Sequence, residues 1–132
     1  MLNREMVKGI LLSSARPELT IYRNEKKNLG YEVRTRVFFR ADNYRFLWEL
    51  RDELARLNIA SQYREIESKV RPKPVLWVSG ISNLVALCRL VPYSPDAKSV
   101  WDNFKEAISL IYEGKHNTQD GLDKLLRLKG LL

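Results

Sequence analysis

Apolar side chains recur at helical spacing over residues 3–15, where Val7, Ile10, Leu11 and Ser14 mark one stripe and Met6 and Leu12 widen it. Pro17 closes this segment, because the residue before a proline is pushed out of the helical region. The period then switches to two. Over residues 18–24, Leu19 and Ile21 alternate with Glu18, Thr20 and Tyr22. Over residues 30–40, Tyr31, Val33, Thr35, Val37 and Phe39 alternate with Glu32, Arg34, Arg36, Phe38 and Arg40. Such alternation gives a strand one core face and one outer face. The polar, lysine-bearing residues 24–30 between the two runs predict a hairpin whose outer face carries arginines.

The helical period returns over residues 43–57. Leu47, Leu50, Leu54 and Leu57 form the buried stripe, Glu49, Arg51, Asp52, Glu53 and Arg56 a solvated face, and Asp42 the expected N-cap. A second strand pair is expected over residues 59–66 and 73–79, with Gln62 and Arg64 on one face and Trp77 able to fall on either. Its loop carries Lys69, Arg71 and Lys73, and Pro72 and Pro74 suit an edge or a strand start. Three helical segments finish the chain. They are residues 81–91, residues 97–113 with Val100, Trp101, Phe104, Ile108 and Ile111 buried, and a short helix ending at Lys129 and Gly130. The order predicts one α+β domain over residues 1–132, a four-stranded antiparallel sheet with helices on one face and extra helices at the C-terminus.

Charge sharpens this picture. The chain of 132 residues has a net charge of +7. Residues 1–80 hold 16 Lys/Arg against 10 Asp/Glu, whereas residues 81–132 hold 7 against 6. A basic half on an open sheet face suits a polyanion, the plain alternative being a soluble basic protein. No run approaches the ~20 apolar residues of a membrane span, and no secretory signal is evident. The single Cys88 excludes an internal disulfide and a thiolate metal cluster, and on an apolar helix it reads as a small hydrophobe. A reduced interior fits, cytoplasmic and nucleoid-associated if DNA is the partner. His116, the one histidine, lies in a polar turn, where it is a capping or surface residue, or else a general base or phosphate contact. No phosphate-cradling glycine loop is present, and no cofactor or metal is expected.

Specific runs then resemble the LAGLIDADG homing endonuclease family, single-motif type. Residues 23–33 (RNEKKNLGYEV) look like its first hairpin, and residues 38–43 (FFRADN) like its strand-to-helix join. Residues 116–129 resemble its closing His-x-Thr-x-x-Gly-Leu run and Leu-Lys pair. The family's nine-residue motif falls on residues 7–15. Its glycine is kept as Gly9 and its small seventh residue as Ser13. Its sixth residue, usually Asp, is Leu12, its metal-binding acid is Ser14, and its final glycine is Ala15. Lys8 replaces a small residue, and Lys98 loosely matches a basic active-site position.

The resemblance implies the αββαββα saddle fold, paired motif helices as the subunit interface, and divalent metals held by the eighth-position acids. Serine is a neutral and weak ligand for such a hard cation. The expectation is therefore a non-catalytic homodimer that binds double-stranded DNA at a pseudo-palindromic site, for instance as a transcriptional regulator. Val7, Gly9, Ile10, Ser13 and Ser14 would form the interface. Arg34, Arg36, Gln62 and Arg64 would reach base edges, beside Thr20, Tyr22, Lys73 and Trp77. Lys26, Lys27, Lys69 and Arg71 would touch phosphate. The alternatives are a metal-dependent endonuclease using a displaced acid such as Glu18, and an RNA-binding maturase.

Overall fold

The computed structural model describes residues 2–92 and 100–130. Helix α1 (Arg4–Ser13) is capped by Asn3, whose side chain accepts from the Met6 N–H at 2.9 Å. Strand β1 (Ala15–Arg23) follows almost at once, then β2 (Tyr31–Arg40), α2 (Tyr44–Arg56), β3 (Gln62–Arg64), β4 (Val75–Val78), α3 (Ile81–Leu90), α4 (Val100–Tyr112), a 3-10 turn (Lys115–Asn117) and α5 (Gln119–Lys129). The strands form one antiparallel sheet in the order β1-β2-β4-β3. This is the α+β architecture expected from the sequence, with its four-stranded antiparallel sheet.

Several local expectations are corrected. Pairing in β1 reaches back to Ala15 opposite Phe39, so Pro17 lies inside the strand. Its missing N–H is tolerated there because β1 is an edge strand. The N-cap of α2 is Asn43, which accepts from the Arg45 N–H at 2.8 Å, while Asp42 meets Lys73 instead. The second hairpin is far shorter than the predicted runs. Asn58 takes a left-handed φ of 63°, Ile59 enters the core, and the Ala60 N–H donates to Asn83 Oδ1 at 3.1 Å. These residues are tied to α2 and α3 and do not pair with β4. Glu53 is buried beside Arg56, not on a solvated face, and Val100 is 60% exposed, not buried.

The core lies between the sheet and the helices. Val37, Phe39, Leu76 and Val78 from the sheet meet Val7 and Leu11 of α1, Leu47, Leu50 and Leu54 of α2, Leu84 and Leu87 of α3, and Trp101 and Phe104 of α4. Burying each such side chain favours the fold by about 1.5–3 kcal/mol. A smaller cluster joins Leu19, Ile21 and Val33 to Ala107, Leu110 and Leu125. Trp101 Nε1 donates to the Leu11 carbonyl at 2.8 Å in a buried position, satisfying the otherwise unpaired last turn of α1. No described helix is long and apolar enough to cross a membrane.

Candidate nucleic-acid interface

The register of the sheet decides which side chains share its second face. Arg16 opposes Phe38, Glu18 opposes Arg36, Thr20 opposes Arg34 and Tyr22 opposes Glu32. Phe38 in turn opposes Trp77, Arg40 opposes Val75, Gln62 opposes Trp77 and Arg64 opposes Val75. Since Val37, Phe39, Leu76 and Val78 face the core, these residues all project from the other side. Trp77 therefore sits on the open face. A shallow hollow of about 340 Å³ on this face is walled by Glu18, Arg36, Arg40, Arg64, Phe38 and Trp77.

The arginines here are held in place by rings. The guanidinium carbons of Arg36 and Arg40 lie 4.9 and 4.7 Å from the centre of the Phe38 ring. That of Arg64 lies 5.9 Å from Trp77, and that of Arg34 5.6 Å from Tyr22. Cation–π contacts of this kind fix a planar fork in advance of a ligand. Acids steady them further. Glu18 is 3.3 Å from Arg36 Nη2, and Thr20 Oγ1 donates to Glu18 at 3.2 Å. The Tyr22 hydroxyl donates to Glu32 and accepts from Arg34 Nη2 at 3.0 Å. The hydrogen bond to Glu32 raises the Tyr22 pKa above its ordinary value, and together with the Asn24 amide it lowers that of Glu32. Arg36 Nε is buried without an acceptor among the described residues. Gln62 and Arg64 are exposed on the short β3.

At one end of the face an ion network ties down the β3–β4 loop. Arg40 donates to both carboxylate oxygens of Glu67 at 2.8 Å, a fork that holds the Glu67 carboxyl below its ordinary pKa. Arg71 reaches Glu67 at 3.2 Å, the Pro74 carbonyl at 3.0 Å, and the Lys73 and Ala41 carbonyls at 3.3 Å. It is turned into the loop, where these groups hold its guanidinium. Lys73 pairs with Asp42 at 2.8 Å and lowers the pKa of that acid, and Lys69 is exposed at the loop tip. At the other end, Lys26 and Lys27 are exposed on the β1–β2 turn.

Helix α1 carries the second predicted surface. Gly9, Ser13 and Ser14 are exposed, as are Met6 and Leu12. A Cβ added at Gly9 would meet nothing within 4 Å, so the chain leaves that spot open. Ile10 is half-buried against the core. Val7 is fully buried, and the expectation that it meets a partner is corrected: it shares the inward stripe with Leu11. Lys8 is drawn along the helix to Glu5, at 3.2 Å. At the end of α1, Ser13 Oγ donates to the Gly9 carbonyl at 2.8 Å and lies 3.3 Å from Ser14 Oγ. These neutral hydroxyls do not suit a hard divalent cation, and Glu18 is engaged with Arg36. Among the described residues, no group of three or more His, Cys, Asp or Glu is placed to hold a metal ion. Lys98 lies outside the described residues.

The open face contains residues that the sequence reading passed over. Arg40 and Phe38 continued the alternating pattern and were legible from it. Arg16 was hidden by taking Pro17 as a boundary. Glu67 had no signal, because its partner Arg40 is 27 residues away. Cys88 is half-buried, and burial pushes its thiol pKa up to about 11, so it remains a protonated hydrophobe.

No protein-family model matches the sequence, and no curated protein does. Solved structures do match, and they are LAGLIDADG homing endonucleases. The homing endonuclease I-TnaI superposes with a TM-score of 0.80 at 18% identity, over 96% of this chain and 85% of its own. The archaeal intron-encoded I-Vdi141I, complexed with DNA, gives 0.80 at 17% identity over 95% of this chain and 78% of its own. The LAGLIDADG enzyme I-SmaMI, bound to cleaved DNA, gives 0.82 at 17% identity, with 98% of this chain spanning 43% of that one. The chain thus spans most of I-TnaI and less than half of I-SmaMI. At these identities the likeness shows the LAGLIDADG fold.

Proposed function

We propose that this chain binds double-stranded DNA sequence-specifically as a homodimer and does not cut it. The observation that carries the reading is the open sheet face, where Arg34, Arg36, Arg40 and Arg64 lie on aromatic rings. Arginine forks match the guanine edge in the major groove, and a strand surface can enter that groove. I-Vdi141I and I-SmaMI, which share the fold, were each solved with DNA.

Arg34, Arg36, Gln62 and Arg64 read bases, with Thr20, Tyr22, Lys73 and Trp77 at their margin. Lys26, Lys27 and Lys69 face phosphate. The exposed Gly9, Ser13 and Ser14 of α1, with Ile10 beside them, meet the same surface of a second copy. Two sheets then form one saddle over a pseudo-palindromic site. The role fits a domesticated regulator of transcription in the nucleoid. The absence of cleavage is supported by Leu12 and Ser14, which replace the acids that a metal would need.

Selection of bound sequences from a random duplex pool tests this directly. A palindromic consensus is expected, with affinity falling steeply as salt rises. A featureless pool would defeat sequence reading. Incubating plasmid DNA with Mg²⁺ or Mn²⁺ is expected to leave it intact, and metal-dependent cutting lost in Glu18→Gln would establish the nuclease instead. Preference for structured RNA over the selected duplex would favour the maturase.

A further inference from the structure

A polar cavity of about 260 Å³ lies beneath the tip of the first hairpin, between the β1–β2 turn and the 3-10 turn of Lys115–Asn117. Lys26, Lys27, Asn28, Tyr31, Glu32, His116 and Asn117 supply its polar lining. Both walls are fixed. On the hairpin side, the Asn24 N–H donates to the Gly30 carbonyl at 2.9 Å and the Gly30 N–H to the Lys27 carbonyl at 2.9 Å. The Lys26 N–H donates to Asn24 Oδ1 at 3.1 Å.

On the other side, the 3-10 turn is pressed onto α5. A Cβ at Gly121 would fall 1.8 Å from the Lys115 carbonyl oxygen, so only glycine permits this approach. Thr118 locks the same junction, donating to the Lys115 carbonyl at 2.7 Å and accepting from the Gly121 N–H at 3.1 Å. His116 is thereby held at the cavity wall. Its Nδ1 is buried without a hydrogen-bond partner among the described residues, a state that disfavours the empty pocket.

The charged groups around the ring are Lys26, Lys27 and Glu32 from the hairpin and Lys115 from its own turn. Glu32 is directed to Tyr22 and Asn24, and the Lys115 ammonium is 2.8 Å from Glu113. Lys26 and Lys27 take part in none of the described ion pairs, although the charge of Lys27 contributes to the lowered pKa of Glu32. Burial, and then the charge of Lys27, hold the His116 pKa below its ordinary value.

We infer that this pocket binds a phosphate group, which Lys26 and Lys27 attract and for which His116 and Asn117 complete the polar shell. The group comes either from the backbone of bound DNA or from a free phosphoanion. The first source deepens the proposed function, in which these lysines face phosphate. The pocket itself does not depend on that reading, because inorganic phosphate tests it without DNA.

His116 is the only histidine, so protein labelled with isotopic histidine gives one imidazole signal. Sodium phosphate at pH 7 is expected to move that signal saturably, and sodium chloride at matched ionic strength is not. Lys27→Met should weaken the phosphate response at least tenfold while the remaining spectrum stays folded. An equal response to chloride, or a wild-type response in Lys27→Met, overturns the proposal. Duplex DNA that moves the signal as phosphate does identifies a backbone phosphate as occupant. A response to phosphate with none to duplex DNA identifies a free phosphoanion, and supports the pocket whether or not the sheet face binds DNA.

Discussion

The outer surface of α1 and the open face of the sheet adjoin at Ser14 and Ala15, yet their chemistry is opposite. The α1 surface is small and uncharged from Gly9 to Ser14, with Arg4 and the Lys8–Glu5 pair at its start. Gly9 leaves open space, Ser13 turns its hydroxyl back to its own helix, and Met6 and Leu12 are exposed. The sheet face is charged and aromatic, and its long side chains are already braced by rings and acids. A flat, small-residue helix allows another backbone to come close, the arrangement that suits a second copy. A braced arginine array loses little freedom when it meets a patterned anion, which suits DNA. Under the proposed function, assembly and recognition would fall on different surfaces, and among the described residues neither surface carries a group of three or more His, Cys, Asp or Glu placed to hold a metal ion.

The sharpest way to break this division is at Gly9. Gly9→Leu adds volume where the single chain has room, and removing a mid-helix glycine favours the helix by about 0.5–1 kcal/mol. The variant subunit should therefore keep its fold, with a circular-dichroism spectrum like the parent's, and its unfolding temperature should fall only by what the lost partner contributed. Sedimentation should nevertheless show a monomer, and affinity for the full palindromic site should drop at least ~100-fold, about 2.8 kcal/mol. A dimeric Gly9→Leu variant with unchanged affinity would remove α1 from the interface.

On the sheet face the expected effect is smaller but carries sequence information. Arg34→Ala should cost ~1–3 kcal/mol on the selected site and relax the consensus at one position in each half. Binding to random duplex should change far less. Equal losses on both would make Arg34 a phosphate contact and turn the face into a general cationic surface.

How far the sequence disclosed this division depends on whether a residue's partners are near it in the chain. The alternation from Tyr31 to Arg40 placed Arg34 and Arg36 on the outer face because a period of two leaves no other choice. Gly9 and Ser13, four apart, were legible as one helical stripe. Val7 was grouped with them wrongly, since it is four from Leu11 and belongs to the inward stripe. The β3–β4 loop was opaque for a different reason. Composition shows three cations there but not their direction, and Arg71 is turned inward by groups as distant as Ala41. The shortness of β3 followed from Asn83, a residue 23 positions beyond Ala60. Lys26 and Lys27 were visible as charge, whereas the cavity they share with His116 required α5 to be packed in place.

Arg71 separates a loop brace from a phosphate contact. Removing its side chain in Arg71→Ala leaves Glu67 with Arg40 as its side-chain partner and takes a donor from the Ala41, Lys73 and Pro74 carbonyls, of which Lys73 keeps the Glu67 N–H. The fold should lose about 1–2 kcal/mol. The slope of log affinity against log salt should stay at its parental value, because no phosphate contact is removed. A slope reduced by ~1, with stability unchanged, would restore Arg71 to the DNA surface.

The smallest effect concerns the same brace under acid. The folded Glu67 carboxyl has a pKa lowered first by its hydrogen bonds to Arg40, so the folded state binds its proton less readily than the unfolded chain does. Its contribution is therefore complete above the ordinary glutamate pKa, about 4.3, and is lost as pH falls through the lowered folded value. With this side chain 22% exposed, the loss should be about 1 kcal/mol or less. Denaturant titrations of the parent and of Glu67→Gln should show this. The stability gap between them, present at pH 6, should close as the pH is taken from 5 to 3. A gap that widens on acidification would mean that the Arg40 fork does not favour the charged form of Glu67. The loop beside the arginine face would then be held by Arg71 and its carbonyl contacts alone.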